Sequence, residues 1–368
     1  TRVRSSAASD VYKRQGYATA GLYSWLSFDA QYCDFQRGFH VYQNVAGQTS
    51  ALMDSPALRG IGANFRVAEQ YLYLPRKFSQ AMGVQQQMEW TDKGRADVTT
   101  DAAIAQLRVM TGGPFFMWVH YFDAHYPYMP PAGYGAPLQG GYNGPITESM
   151  DTIDAIQTGK LTPTGADLQM LQSLYQGEIS FLDSQLQRLF ASLDQLGLSS
   201  NTVLAVTADH GEAFGEHPQD AEGVDFFHPH SLHAEEQHTP LLLRFPGHIK
   251  TGTVVQAPTQ AIDLFPTLIE LAGLHVPAQN QGTSLVGLLN GNDDGSNRAA
   301  FSSMPDYGFT SVTVPGWKYI QNNAGASHQL FDIRSDPGET QDASAANPDT
   351  LKQLDAKLNG WMKAVKIS

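Results

Sequence analysis

The sequence predicts an α/β fold, a mainly parallel sheet flanked by helices, with a small C-terminal α+β subdomain. Three observations predict it. Residues 115–121 form a continuous apolar run of the length expected for a buried parallel strand. A long amphipathic pattern between Leu168 and Leu196 stops at Gly197, and residues 202–208 then supply a second apolar run, the order of a crossover unit. Beyond Gly287 the composition turns to Gly, Asn and Asp before shorter strand signals and a last helix, which marks an appendage.

The bulk numbers bound what such a fold can do. At 368 residues the chain can bury a large core, and 42% hydrophobic against 16% charged residues, with 34 glycines and 20 prolines, suits a loop-rich globular enzyme. No apolar stretch reaches the roughly 18 to 20 residues needed to cross a bilayer, so no membrane span is expected. A formal net charge of -13 with no basic cluster excludes nucleic acid as a partner. It does not exclude an anionic small substrate, because a bound divalent cation reverses the field locally. A single cysteine, Cys33, rules out an internal disulfide framework and leaves the compartment open.

The elements follow in order. Residues 1–15 are Ser/Ala-rich, carry four basic residues and lack an apolar core, so a disordered or artefactual arm is expected. The string SSAASDVYKRQ also resembles the translation of a sequencing adapter joined to a broken frame, which puts the start of native protein near Gly16. A helix ends over 102–110, and Thr111-Gly112-Gly113-Pro114 stops it before the strand at 115–121. Residues 126–165, rich in Pro, Gly and Tyr, read as a long ordered loop of the kind used for binding. Leu168, Leu171, Tyr175, Ile179, Leu182, Leu186, Leu189, Leu193 and Leu196 recur at steps of three and four, one helix face. Strands follow at 202–208 and 241–245, then a helix at 263–271 with Gly273 past its end. A boundary near 290 separates 16–290 from 291–368, where strands near 311–314 and 318–321 precede a helix over 349–364.

Ligands of open α/β sheets collect at the carboxyl ends of strands, which gives weight to polar residues there. Asp209 and His210 end the run 202–208, and a carboxylate beside an imidazole can share one divalent cation. The same residues also build an Asx turn closed by Gly211, and spacing does not choose between the two. His125 follows the run 115–121, with Pro127 stiffening the backbone beyond it, and can donate to an anion or serve only as a loop histidine. His228, His230 and His233 fall within six residues. They lack a matching Cys or His pair for structural zinc, so a donor role towards substrate is preferred. His217 and Glu216 read as structural, and His40, His248, His275 and His328 have no chemical company.

TVLAVTADHGEAFGEH, FFMWVHYFDAHYPYMPP and HSLHAEEQHTPLLLRFPG closely resemble three blocks of the sulfatase family, within the alkaline-phosphatase-like superfamily. The likeness continues through YQGEISFLDSQLQRLFASLDQLG, AIDLFPTLIELAG, GWKYI and LFDIRSDPGET, and spans 16–348 in the family's order. The resemblance implies an alkaline-phosphatase-like sheet, and makes 16–290 a catalytic domain lacking its N-terminal part. It implies that Asp209 and His210 ligate a metal and that His125 binds the sulfate group. It further implies that His228, or His230 if the alignment slips, stands where other members carry a substrate-binding lysine. His125 or His228 is the expected proton donor to the leaving group, and all these residues are expected to converge on one cleft.

The same resemblance implies one divalent cation, Ca²⁺ by family habit, although the nitrogen of His210 favours Mn²⁺ or Zn²⁺. It also implies a formylglycine nucleophile. The nucleophile motif belongs upstream of the block Gly16-Tyr17-Ala18-Thr19, and the stretch from Cys33 to Arg37 has Phe35 where proline belongs, so Cys33 is rejected as nucleophile. The expected function is metal-dependent hydrolysis of a small-molecule or glycan sulfate ester by a periplasmic or secreted enzyme, with this chain inactive alone. The alternatives are a phosphodiesterase, phosphonate hydrolase or lipid-headgroup phosphotransferase of the same superfamily, or a binding module without chemistry.

Overall fold

A helix, α1 (Ser6–Arg14), stands first in the computed structural model, which describes residues 6–25, 28, 35–45, 95–135, 141–217, 226–322 and 327–366. This corrects the disorder expected over 1–15, of which 1–5 lie outside the described residues. The reason is one aromatic side chain. Tyr12 is buried and stacks on Phe116 with ring centroids 4.6 Å apart, a burial that average composition does not register.

Two compact units make up the chain, Thr1–Ile153 with Pro163–Ser199 and Asp154–Thr162 with Ser200–Ser368. In the first, β1 (Ala18–Tyr23) pairs in parallel with β2 (Val41–Asn44) on one side and β3 (Phe115–Val119) on the other. Gly21 is required at the centre of β1, because a Cβ there would lie 2.7 Å from the ring of Tyr42. Helix α2 (Ala96–Val109) precedes β3, and a short helix, α3 (Met150–Gln157), interrupts the long loop expected over 126–165. The predicted long helix is α4 (Ala166–Gln195). Leu22 of β1, Ala103 and Leu107 of α2, and Leu189 and Leu193 of α4 form one core cluster.

The end of α4 follows from Gly197. Its φ of 69° lies in the left-handed region, its N–H donates to Asp194 O at 3.0 Å, and the next N–H, of Leu198, donates to Leu193 O at 2.9 Å. These two bonds are the Schellman closure. Upstream, α4 pins the loop that carries His125. The buried Glu178 carboxylate accepts the Met129 N–H at 2.7 Å, and a Cβ at Gly177 would meet Pro130 at 2.9 Å. Ile179 is 43% exposed, so the buried stripe lies to one side of the face expected from spacing.

In the second unit β4 (Leu204–Thr207) is followed by the two-residue strands β5 (Ala213–Phe214) and β6 (Phe226–Phe227), which pair with each other. A single helical turn, α5 (Ala234–Gln237), leads to β7 (Leu241–Arg244). Among the described residues β4 pairs only with β7, antiparallel, rather than with the parallel neighbour a crossover implies. Helix α6 (Ala261–Leu271) opens with a capping box of Gln260 and Asp263.

After the short helix α7 (Val286–Leu289), four antiparallel strands stand in the order β11–β10–β9–β8: β8 (Ala300–Met304), β9 (Phe309–Val314), β10 (Trp317–Asn322) and β11 (Ser327–Phe331). The last helix, α8 (Pro348–Val365), covers one face through Leu354 and Leu358 against Val312, Tyr319 and Leu330. Ile320 and Phe331 pack instead with Leu232. That contact is why the boundary expected near 290 does not separate compact units: the composition change marks surface turns, while the sheet beyond them buries residues from before it. Among the described residues no helix is long and apolar enough to cross a membrane.

Candidate active site

The turn after β4 is built by its own side chains. Asp209 Oδ1 accepts the N–H of the next residue, His210, at 3.0 Å, so the expected Asx turn, which needs a bond to the residue two on, is not formed: the Gly211 N–H goes elsewhere. Gly211 donates its N–H to Glu236 O at 2.8 Å, and a Cβ there would fall 2.0 Å from Glu235 O. Only glycine lets the turn lie this close to α5.

The His210 ring has a defined orientation. Its Nδ1 lies 2.8 Å from Gly211 O, and a carbonyl only accepts, so Nδ1 carries hydrogen and the neutral ring keeps its lone pair on Nε2. Nε2 is 3.8 Å from Asp209 Oδ2, with the Asp209 side chain 79% exposed. Two donors at that separation can both reach one cation, whose ligand bonds run about 2.0 to 2.6 Å. The pair therefore fits two ligands of a divalent ion. Among the described residues no three His, Cys, Asp or Glu groups are arranged to hold a metal.

His228 joins this pair. Its ring lies on that of His210 with centroids 3.9 Å apart, and its Nδ1 is 2.8 Å from Glu212 Oε1. His230 is held through its backbone, whose N–H reaches both Glu236 oxygens at 3.1 Å; the same carboxylate accepts the Ser231 N–H at 2.9 Å and hydroxyl at 3.2 Å. The His230 Nε2 is buried without a hydrogen-bond partner. Burial first, and the neighbouring His228 second, push the His230 pKa down.

His233 turns away to a separate, buried ionic cluster. Its Nδ1 is 2.9 Å from Glu339 Oε2, and the Lys318 ammonium donates to Glu339 at 2.8 and 3.0 Å. The His233 ring stacks on that of His217 at 3.8 Å. His217 reaches Glu235 at 2.7 Å through Nδ1 and the carbonyls of Gly338 and Glu339, each at 3.1 Å, through Nε2. Its hydrogen bond to Glu235 outweighs burial and pushes its pKa up to about 9. Burial pushes the Lys318 pKa down, against the attraction of Glu339. His217 is thus structural, as expected, while His228, His230 and His233 take different partners and build no common zinc site.

In the first unit His125 is clamped by aromatic neighbours. The ring stacks on Phe122 at 4.5 Å, and its Nδ1 is 2.6 Å from Tyr126 O, so this nitrogen donates. Cys33 lies outside the described residues. Sequence reasoning missed Glu212, Glu235, Glu236, Lys318 and Glu339 as partners of the site histidines. The strings ADHGEAF and LHAEEQH held a signal, carboxylates set beside histidines and apolar residues.

Comparison with known proteins agrees with this architecture. The Sulfatase family model matches residues 7–274, and that of the N-sulphoglucosamine sulphohydrolase C-terminal region matches residues 223–367. Arylsulfatase K of Bos taurus is 30% identical over 226 residues, which cover 57% of this chain and 40% of the relative. The Homo sapiens protein is 29% identical over 224 residues, with the same coverage, 57% and 40%. The match thus spans about two fifths of these relatives' length. BT4656, solved in complex with its substrate D-glucosamine-2-N,6-O-disulfate, superposes with a TM-score of 0.66 at 18% identity, over 98% of this chain and 82% of that one. Phosphonate monoester hydrolase SpPMH from Silicibacter pomeroyi gives 0.65 at 21% identity, over 97% and 79%. These likenesses show a shared alkaline-phosphatase-like fold. With a family model covering most of its length, the chain belongs to the sulfatase family.

Proposed function

We propose that the complete protein hydrolyses sulfuric esters, an aryl or glycan sulfate, and acts in the periplasm or outside the cell. The observation that carries the reading is the grouping of Asp209, His210 and His228, with both rings oriented through Nδ1. Asp209 Oδ2 and His210 Nε2 would hold the cation, Ca²⁺ by family habit or Mn²⁺ or Zn²⁺ by the nitrogen donor. Such an ion stabilises charge on sulfuryl oxygens, and a formylglycine made from an upstream Cys or Ser supplies the nucleophile.

The chain's own residues do the rest. By the family resemblance His125 would bind the sulfate group; its Nδ1 donates to Tyr126 O, so a further hydrogen bond given from Nε2 would need the protonated ring. His228 gives the proton from Nε2 to the leaving oxygen, a role suited to imidazole near neutral pH. His230, whose Nε2 is buried and without a partner, accepts from a substrate hydroxyl.

A second reading, hydrolysis of phosphonate monoesters or phosphate diesters, draws on the Asp-His pair and on the fold shared with SpPMH. One experiment separates the two: the chain joined to its genomic upstream sequence is assayed with an aryl sulfate and an aryl phosphonate, with Ca²⁺, Mn²⁺ or Zn²⁺. Sulfate turnover, lost on chelation, is expected. In His228→Ala, kcat should fall about 10²- to 10⁴-fold, and more for an alkyl than for a nitrophenyl leaving group. Turnover of the phosphonate alone would select the second reading, and none with either substrate would leave a binding module. The chain as it stands should turn over neither. Activity in it that disappears in Cys33→Ala would restore Cys33 as the nucleophile.

A further inference from the structure

We infer that Glu212 is the positioning residue that sets the tautomer and direction of His228, an inference that rests on the proton-donor reading of that histidine. Strand register starts the case. Ala213 faces Phe227 and Phe214 faces Phe226 in the antiparallel pair β5–β6, so one step further along the same register Glu212 stands opposite His228. The two side chains are 4% and 10% exposed and meet at 2.8 Å between Oε1 and Nδ1. A carboxylate taken this far out of water needs a donor, and the imidazole Nδ1–H is the donor printed into the hairpin by its register.

The backbone between the strand pair and His228 is also unusual. Phe227 has a φ of 72° with its ring fully buried. A bulky residue in the left-handed region is strained, and burial of the ring holds it there. The His228 ring that follows lies against that of His210, with centroids 3.9 Å apart and planes 37° apart. Three constraints then act on one imidazole: the backbone fixes its Cβ, His210 limits its tilt, and Glu212 chooses which nitrogen carries hydrogen. With Nδ1–H given to Glu212, the proton-donor reading assigns exchange with a leaving group to Nε2. Without the carboxylate the ring reverts towards the Nε2–H form that isolated neutral histidine prefers, or rotates.

Imidazole nitrogen NMR on the ¹⁵N-labelled full chain tests this without turnover, at a pH where the ring is neutral. His228 should show the Nδ1–H tautomer, which Glu212→Gln retains through its side-chain carbonyl and Glu212→Ala loses. Wild-type His228 in the Nε2–H form, or an unchanged tautomer in Glu212→Ala, would overturn the proposal. If Glu212→Ala fails to fold, as judged by the His217 resonances, the wild-type tautomer alone decides. In the completed enzyme Glu212→Gln should lower kcat by roughly 10- to 100-fold at unchanged KM, the range of carboxylates that orient functional histidines. If His228→Ala leaves kcat untouched, the proton-donor reading fails while the tautomer result still stands or falls alone.

Discussion

His210, His228 and His217 come from neighbouring turns and differ in what their nitrogens meet. In the first two, Nδ1 meets Gly211 O and Glu212 respectively. His217 spends both on acceptors, a carboxylate at Nδ1 and two carbonyls at Nε2, so a neutral ring would aim a lone pair at one of them. The protonated form removes that conflict, which is why the folded pKa rises from 6.5 to about 9. A raised folded value means stability that is fully present below pH 6.5 and is lost as pH climbs through about 9. The thermal midpoint of the chain should therefore fall between those pH values, and His217→Gln should flatten the decline; a midpoint constant across the window in wild type would contradict it. Glu235, Glu339, Lys318 and the His233 ring all face this group. The sequence made Asp209, His210 and His228 legible because strand ends and clustered histidines are local signals. It could not show Glu212, which depends on a hairpin register, or Glu339, which meets His217 across 122 positions.

At the scale of elements, α4 was readable almost to the residue because its repeat and its glycine stop agree. The same local signals ended α6, where Gly273 has a φ of 71°. Replacing Gly197 with alanine should cost about 1–2 kcal/mol, the penalty of a Cβ in the left-handed region, measured as a shift in chemical denaturation midpoint without a change in slope. No added cost would mean that α4 ends by another device. Strands β8 and β11 escaped notice since AFSSM and SHQLF lack clean alternation, and their pairing partners make them strands. The helix α3 hid inside a loop for a similar reason: it is two turns long and lies among glycines and threonines. On α4 itself the period was right and the face was rotated, because loop packing on Gly177 and Glu178 decides which side is buried.

At the scale of the whole molecule, a net charge of -13 favours solubility and local edges oppose it. β3 reads FFMWV, apolar on both faces like an interior strand, yet it ends the order β2–β1–β3 among the described residues. All five of its residues are partly exposed. An apolar strand with an open side templates association, so we expect the isolated chain to self-associate on size-exclusion chromatography with light scattering. Joining the genomic upstream sequence should shift it to a smaller, defined species. A monodisperse isolated chain would show that the edge is already covered. The α/β class, the order of its motifs and the two central strands of the C-terminal sheet were legible in the sequence. Which strands would find partners was not, because pairing is a property of the assembled chain.

The ionic cluster around His217 and His233 has a bearing on how the protein is made. Lys318 and Glu339 leave the ribosome long after the DHG turn and the HAEE helix that they help to hold. Until then His233 lacks the carboxylate that meets its Nδ1, and His217 lacks the carbonyls that meet its Nε2. The turn at Asp209 and His210 therefore reaches its final form only after Glu339 has joined the chain. An ion held there, as proposed, would then be a late partner of the fold rather than its nucleus.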